Sequence, residues 1–176
     1  SRYFSHFGID PIRMLKAVIV NFEAGDFVQG ASTLTQQTAR LFLLTQEKKL
    51  VRKIREILLA LRMESQFDKQ QIVTLYLNKV FFGNAEGVEA SAQGYFGKHT
   101  EELTLSESAL LVGLLPAPSR YNPNKNPELS IQRRNQVLSR MAEERFISQD
   151  EMLEAQAEPI SLSRMSDSTL DATAHY

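Results

Sequence analysis

Apolar and polar positions alternate with a helical period along nearly the whole chain. Asp10-Pro11 supplies an N-cap followed by Pro at the first helical position, and the segment it opens runs to a stop at Gly25. After the Gly30-Ala31-Ser32 turn a second helix is predicted over Thr33–Leu44. The strongest periodicity lies at Glu47–Ser65, where Leu50, Ile54, Ile57, Leu58 and Leu61 recur at helical spacing. Asp68-x-x-Gln71 has the form of a capping box opening Lys69–Val80. Thr104-x-x-Glu107 and Ser148-x-x-Glu151 repeat it ahead of helices predicted at Ser108–Leu115 and Glu151–Ala157. A further helix is expected at Ser130–Glu144. Pro and Asn crowd Pro116–Pro127 into an ordered loop, and Gly83, Gly87, Gly94 and Gly97 break Phe81–Lys98 into turns and one short helix. No alternating strand stands out; Tyr3–Phe7 and Val80–Phe82 are the two stretches able to pair briefly. Beyond Pro159 the periodicity is lost and the chain reads as linker. The pattern predicts a mainly α domain.

Composition narrows the chemistry. With 43% hydrophobic residues in 176, the chain can bury a core and is not a disordered segment. A net charge of −1 argues against a general nucleic-acid surface, and no nucleic-acid partner is expected. The absence of Cys excludes a disulfide scaffold, a thiol nucleophile and a Cys-ligated metal, and His6, His99 and His175 are too scattered to suggest a His-based site. The longest apolar run, Met14–Phe22, is interrupted by Lys16 and Asn21 and falls well short of the ~20 residues that cross a bilayer. The opening residues have no signal-peptide pattern and read as an internal cut in a longer protein.

Two local features can carry chemistry. In Gly30-Ala31-Ser32-Thr33-Leu34-Thr35-Gln36-Gln37, hydroxyls and amides bunch at a glycine turn leading into a helix N-terminus, where free N–H groups suit an anion or sugar hydroxyls. The plainer reading is a hydroxyl cap on a solvated first turn. A basic cluster follows: Arg40, then Lys48, Lys49, Arg52, Lys53 and Arg55. Lys49, Arg52, Lys53 and Glu56 share one helical face, as a carboxylate held ionised among cations beside a phosphate site or as a solvated salt-bridge set. Glu64-Ser65 reads as a helix terminus, Gly83-x-x-x-Gly87 lacks the Lys-Ser/Thr of a phosphate loop, and Phe81, Phe82, Tyr95 and Phe96 read as core.

Taken together the motifs resemble those of the family 51 peptidoglycan glycosyltransferases, most nearly the type 1a-like modules of class A penicillin-binding proteins. Gly30 to Gln37 with Arg40 is similar to GxSTxTQQxx[KR], Arg52-Lys53-x-x-Glu56 to RKxxE, and Lys69-x-x-Ile72-x-x-x-Tyr76-Leu77-Asn78 to KxxIxxxYLN. Arg133-Arg134-x-x-Val137-Leu138 resembles the closing RRxxVL, and Gly87-Val88-Glu89-Ala90 through Tyr95-Phe96-Gly97-Lys98 fits the stretch between. Tyr3, His6 and Gly8 align with the first motif, EDxxFxxHxG, which places its Glu-Asp, including the family's general base, just before Ser1. Leu41 and Glu86 depart from the pattern, standing where Asn and an aromatic are common.

The resemblance implies a mainly α, lysozyme-like two-lobed glycosyltransferase domain over residues 1–158, with a small membrane-facing lobe at Ile9–Phe27 and a linker at 159–176 toward a transpeptidase domain. It implies polymerisation of lipid II into β-1,4 glycan strands with release of undecaprenyl pyrophosphate, on the outer, periplasmic face of the bacterial inner membrane. Glu56 is then the catalytic carboxylate in this chain. Arg40, Lys48 and Lys53 contact phosphate, Ser32 and Gln37 bond sugar or phosphate, Thr33 and Gln36 shape the groove, and Arg52 positions Glu56. Tyr76 and Asn78 support the cleft, and His6 packs the first motif. No cofactor is required, although a divalent cation (Mg or Mn) is compatible with the family. The expected partners are lipid II, the growing glycan strand, the membrane surface, the transpeptidase domain and other cell-wall synthesis proteins, with moenomycin as a pyrophosphate-mimicking inhibitor. No Ser-x-x-Lys or Lys-Thr-Gly of transpeptidase chemistry is present. A lysozyme-like muralytic glycosidase and a non-catalytic lipid II-binding module are the alternatives.

Overall fold

The structure is a computed structural model that describes residues 32–43 and 49–163. The helix expected from Asp10 to Gly25, the segment Ile9–Phe27, His6 and Lys48 lie outside the described residues. Among the described residues there is no strand, only an isolated antiparallel bridge between Phe81 and Glu86, in the stretch where brief pairing was expected. The chain divides into two compact units between Lys79 and Val80.

The first unit contains α1 (Leu34–Phe42), α2 (Lys49–Gln66) and α3 (Lys69–Lys79). Thr33 caps α1 through a full capping box with Gln36, and Asp68 and Gln71 form the expected box ahead of α3. Ala39 on α1, Ala60 and Met63 on α2 and Ile72 on α3 form the apolar centre. The two alanines meet where larger side chains would hold α1 and α2 apart. The stripe that made α2 legible faces outward: Leu50 is 81% exposed, and Ile54 and Leu58 are also exposed. The buried face of α2 instead carries Glu56, Ala60 and Met63.

The second unit contains α4 (Val88–Phe96), a 3-10 turn (Thr100–Glu102), α5 (Leu105–Leu114), α6 (Pro127–Glu143) and α7 (Gln149–Ala157). Thr104 and Ser148 cap α5 and α7 as expected, but the helices start at Leu105 and Gln149, because the first residue of each box is the cap itself. α6 starts at Pro127 rather than Ser130, since Pro at the first helical position gives up no hydrogen bond. α5 is apolar on most sides and buries Ala109, Leu110, Leu111 and Leu114; α6 adds Leu138 and α7 adds Ala155. A Cβ on Gly113 would sit 3.3 Å from the Arg133 backbone, so glycine permits the close crossing of α5 and α6. Phe82, Tyr95 and Phe96 are buried as expected, whereas Phe81 is exposed.

Arg134 of the closing motif is fully internal. Its Nη1 donates to Ser106 Oγ at 3.0 Å and to the Glu158 carbonyl at 2.6 Å, and Nη2 donates to the Gln156 carbonyl at 2.7 Å. The guanidinium thus satisfies carbonyls at the end of α7 while tying α6 to α5. Arg134→Leu leaves those acceptors unpaired and is expected to cost about 3 kcal/mol, read as a lower urea midpoint with unchanged slope.

At the other end of the unit, the Glu89 carboxylate accepts from His99 Nδ1 at 2.6 Å, from the Thr100 N–H at 2.9 Å and from the Thr100 hydroxyl. The Thr100 bonds chiefly hold Glu89 down to about 2, and the bond and charge of Glu89 raise His99. A raised His value stabilises below the ordinary imidazole value, and the contribution fades as pH rises through the folded one. An NMR titration is expected to place His99 above the ordinary imidazole value, and Glu89→Gln to bring it back.

Candidate active site

The first unit gathers most of the predicted polar residues around Glu56. The carboxylate is 1% exposed, on the inner face of α2. From α1, Arg40 grips it with two bonds, Nε to Oε1 at 2.9 Å and Nη2 to Oε2 at 3.2 Å. From its own helix, Lys53 Nζ reaches Oε2 at 3.2 Å and Arg52 Nε stands 3.8 Å from Oε1. Lys53 Nζ also donates to Ser32 Oγ at 2.8 Å, which joins the residue just before the α1 cap to the cluster. Burial pushes the Glu56 carboxyl up, but the bonds and charges of Arg40 and Lys53 outweigh it and hold the group below the ordinary carboxylate value. Three cations thus surround one carboxylate. The Arg40 side chain remains 51% exposed, so positive charge is still presented to solvent.

The predicted residues separate into three groups. Ser32, Arg40, Arg52, Lys53 and Glu56 converge. Thr33 and Gln36 are buried in the capping box, where Gln36 Oε1 accepts from the Thr33 N–H at 3.2 Å and its buried Nε2 has no partner among the described residues. Gln37 is exposed on α1. Tyr76 is buried in α3, whereas Asn78 is exposed, so the support expected of it is not seen in a buried contact.

Sequence reasoning passed over a second carboxylate on α2. Glu64, taken for a helix terminus, has a side chain only 4% exposed; it accepts from the Thr35 hydroxyl at 2.5 Å and from Lys69 Nζ at 2.6 Å. Lys69, the first residue of the KxxI pattern, was the available signal, since a half-buried ammonium needs an anion close by.

A family model described as Transglycosylase matches residues 1–142. The chain belongs to the transglycosylase family. It is 49% identical to penicillin-binding protein 1A of Aquifex aeolicus over 99% of its own length and 25% of that protein's. It is 51% identical to penicillin-binding protein 1A of Haemophilus influenzae over 91% of the chain and 19% of the relative. The crystal structure of the Haemophilus influenzae protein matches 73% of this chain and 16% of its own, with 40% identity and a TM-score of 0.53. The chain therefore spans about a quarter or less of the curated relatives it matches.

The residues around Glu56 do not suit a divalent cation. Such ions take several oxygen ligands, yet both Glu56 oxygens are engaged by cations, and no group of three acidic or histidine side chains gathers among the described residues. No step below is routed through a metal.

A depressed Glu56 value stabilises the fold above the ordinary carboxylate range, and that contribution is lost as pH falls through the group's own lower value. In thermal melts the wild type is therefore expected to lose stability on acidification more steeply than Glu56→Gln. Parallel curves would contradict the burial and pairing described.

Proposed function

We propose that the chain is the glycan-polymerising module of a cell-wall enzyme, transferring lipid II units into β-1,4-linked strands and releasing undecaprenyl pyrophosphate. The observation that carries this reading is the excess of cations around buried Glu56. A departing pyrophosphate gathers negative charge as the C1–oxygen bond breaks, and fixed cations stabilise that charge where it develops. Arg40 and Lys53 are placed to meet phosphate oxygens, while Ser32, bonded to Lys53, and exposed Gln37 offer hydrogen bonds to sugar or phosphate. Arg52 supports Glu56 from one turn away.

The acceptor 4-hydroxyl attacks C1 with inversion and loses its proton to a base. By family pattern that base is the Glu of the first motif, EDxxFxxHxG, with Glu56 as the second carboxylate, held ionised to orient substrate and cations. The bilayer face, the transpeptidase partner and moenomycin as a competing ligand belong to the same reading. Among the described residues no helix is long and apolar enough to cross a membrane. A muralytic glycosidase fits less well, because hydrolysis by water expels no pyrophosphate for the cations of Arg40 and Lys53 to meet.

In a form of the protein active on lipid II, Glu56→Gln is expected to cut polymerisation by roughly a hundredfold or more while leaving the helical circular dichroism unchanged. Moenomycin should compete with the donor substrate. Near-normal strand synthesis by Glu56→Gln overturns the assignment, and donor binding without turnover by the wild type favours a non-catalytic binding module.

A further inference from the structure

We infer that Glu64 is a positioning residue for the proposed reaction: through Thr35 it fixes the rotation of α1 and so aims the Arg40 guanidinium at Glu56. The inference rests on the polymerase reading for its effect on turnover, and on geometry alone for its effect on Arg40.

α1 is the short element that brings Arg40 to the site, and the residues it buries are mostly polar: Thr35, Gln36 and Thr38, with Ala39 as the apolar one. Ala39 against Ala60 allows close approach but offers no knob to resist rotation or sliding. Among the described residues, side-chain hydrogen bonds join α1 to α2 through Arg40 and through Thr35. One is the Arg40–Glu56 fork itself; the other is the Thr35 hydroxyl on Glu64, one turn and a fraction earlier along α1. Thr35 is wholly buried, so its hydroxyl has no water to turn to. Glu64 is fixed in turn by Lys69 from the start of α3. Two carboxylates eight residues apart on α2 therefore pin one helix, Glu56 through the Arg40 guanidinium and Glu64 through the Thr35 hydroxyl. Arg40 is half-exposed and long, so without the Thr35 tether its fork on Glu56 must hold the helix as well as be held by it. A displacement of about 1 Å in such a group can cost a hundredfold in rate.

Thr35→Val removes only the hydroxyl and leaves Glu64 paired with Lys69; Glu64→Gln keeps the volume and removes the charge. For each variant, far-UV circular dichroism sets a temperature at which it is fully folded. Hydrogen exchange of the Arg40 Nε–H, followed by NMR, is expected to speed about tenfold in Thr35→Val. In a form of the protein active on lipid II, kcat should fall ten- to a hundredfold with KM changed far less, and the same substitution should have no further effect in an Arg40→Ala background. Unchanged Arg40 exchange in folded Thr35→Val overturns the inference whatever reaction the protein performs. So does a kcat loss that persists in full without Arg40, which would make Glu64 and Thr35 structural only. Faster Arg40 exchange in a protein whose wild type polymerises nothing upholds the coupling and rejects the polymerase reading instead.

Discussion

A carboxylate withdrawn from water must be met by charge or give up its own, and the first unit is arranged around that requirement at Glu56. From α2 itself Lys53 meets Oε2 at 3.2 Å and Arg52 only approaches Oε1 at 3.8 Å, so the close partner of Oε1 is Arg40 from α1. Its two-point grip fixes both position and angle. The small residues at the α1–α2 contact follow from the same need, since bulk there would carry Arg40 out of reach. What remains after one negative charge is met is a surplus of positive charge with partial access to solvent, which suits an anionic leaving group.

The second unit solves a different problem. Its core is built on leucines and aromatics, and its buried cation, Arg134, donates to backbone carbonyls rather than to a carboxylate. That suits a scaffold: the guanidinium is consumed in joining helices and none of its charge is offered outward. The two arginine-bearing motifs thus differ in kind, one presenting charge and the other spending it on backbone.

Much of this was legible in the sequence, where the determining residues are neighbours. Three capping boxes each span four consecutive residues, and the glycine and proline stops are single residues, so helix existence followed directly; the fourth box, Thr33 with Gln36, was read only as a hydroxyl cap. Starts at Ser108 and Glu151 were placed late because the box was read as preceding the helix by its full length. The orientation of α2 was not legible. Its leucines and isoleucines have the spacing of a buried stripe, yet the inner face is set by Arg40, sixteen residues away in the chain, and by Ala39. The i,i+3 and i,i+4 pairs of Glu56 with Lys53 and Arg52 exist as the local pattern implied, but their carboxylate is buried and gripped from another helix while the two cations keep partial access to solvent. Glu64 was invisible for the same reason: its partners lie 29 residues before it and across a helix break after it. The order of the motifs pointed to a candidate site where local chemistry left two readings open.

The capping box at Thr33 has a consequence for the phase of α1. A helix that begins one residue early or late turns every side chain by about 100° relative to its neighbours. Reciprocal bonds between Thr33 and Gln36 select one starting residue out of several that the backbone would tolerate. That choice depends on contacts within four residues and on no distant partner. The box therefore acts as a reading frame: it dictates that Thr35 and Ala39 point inward together and that Arg40 arrives on the side where Glu56 waits.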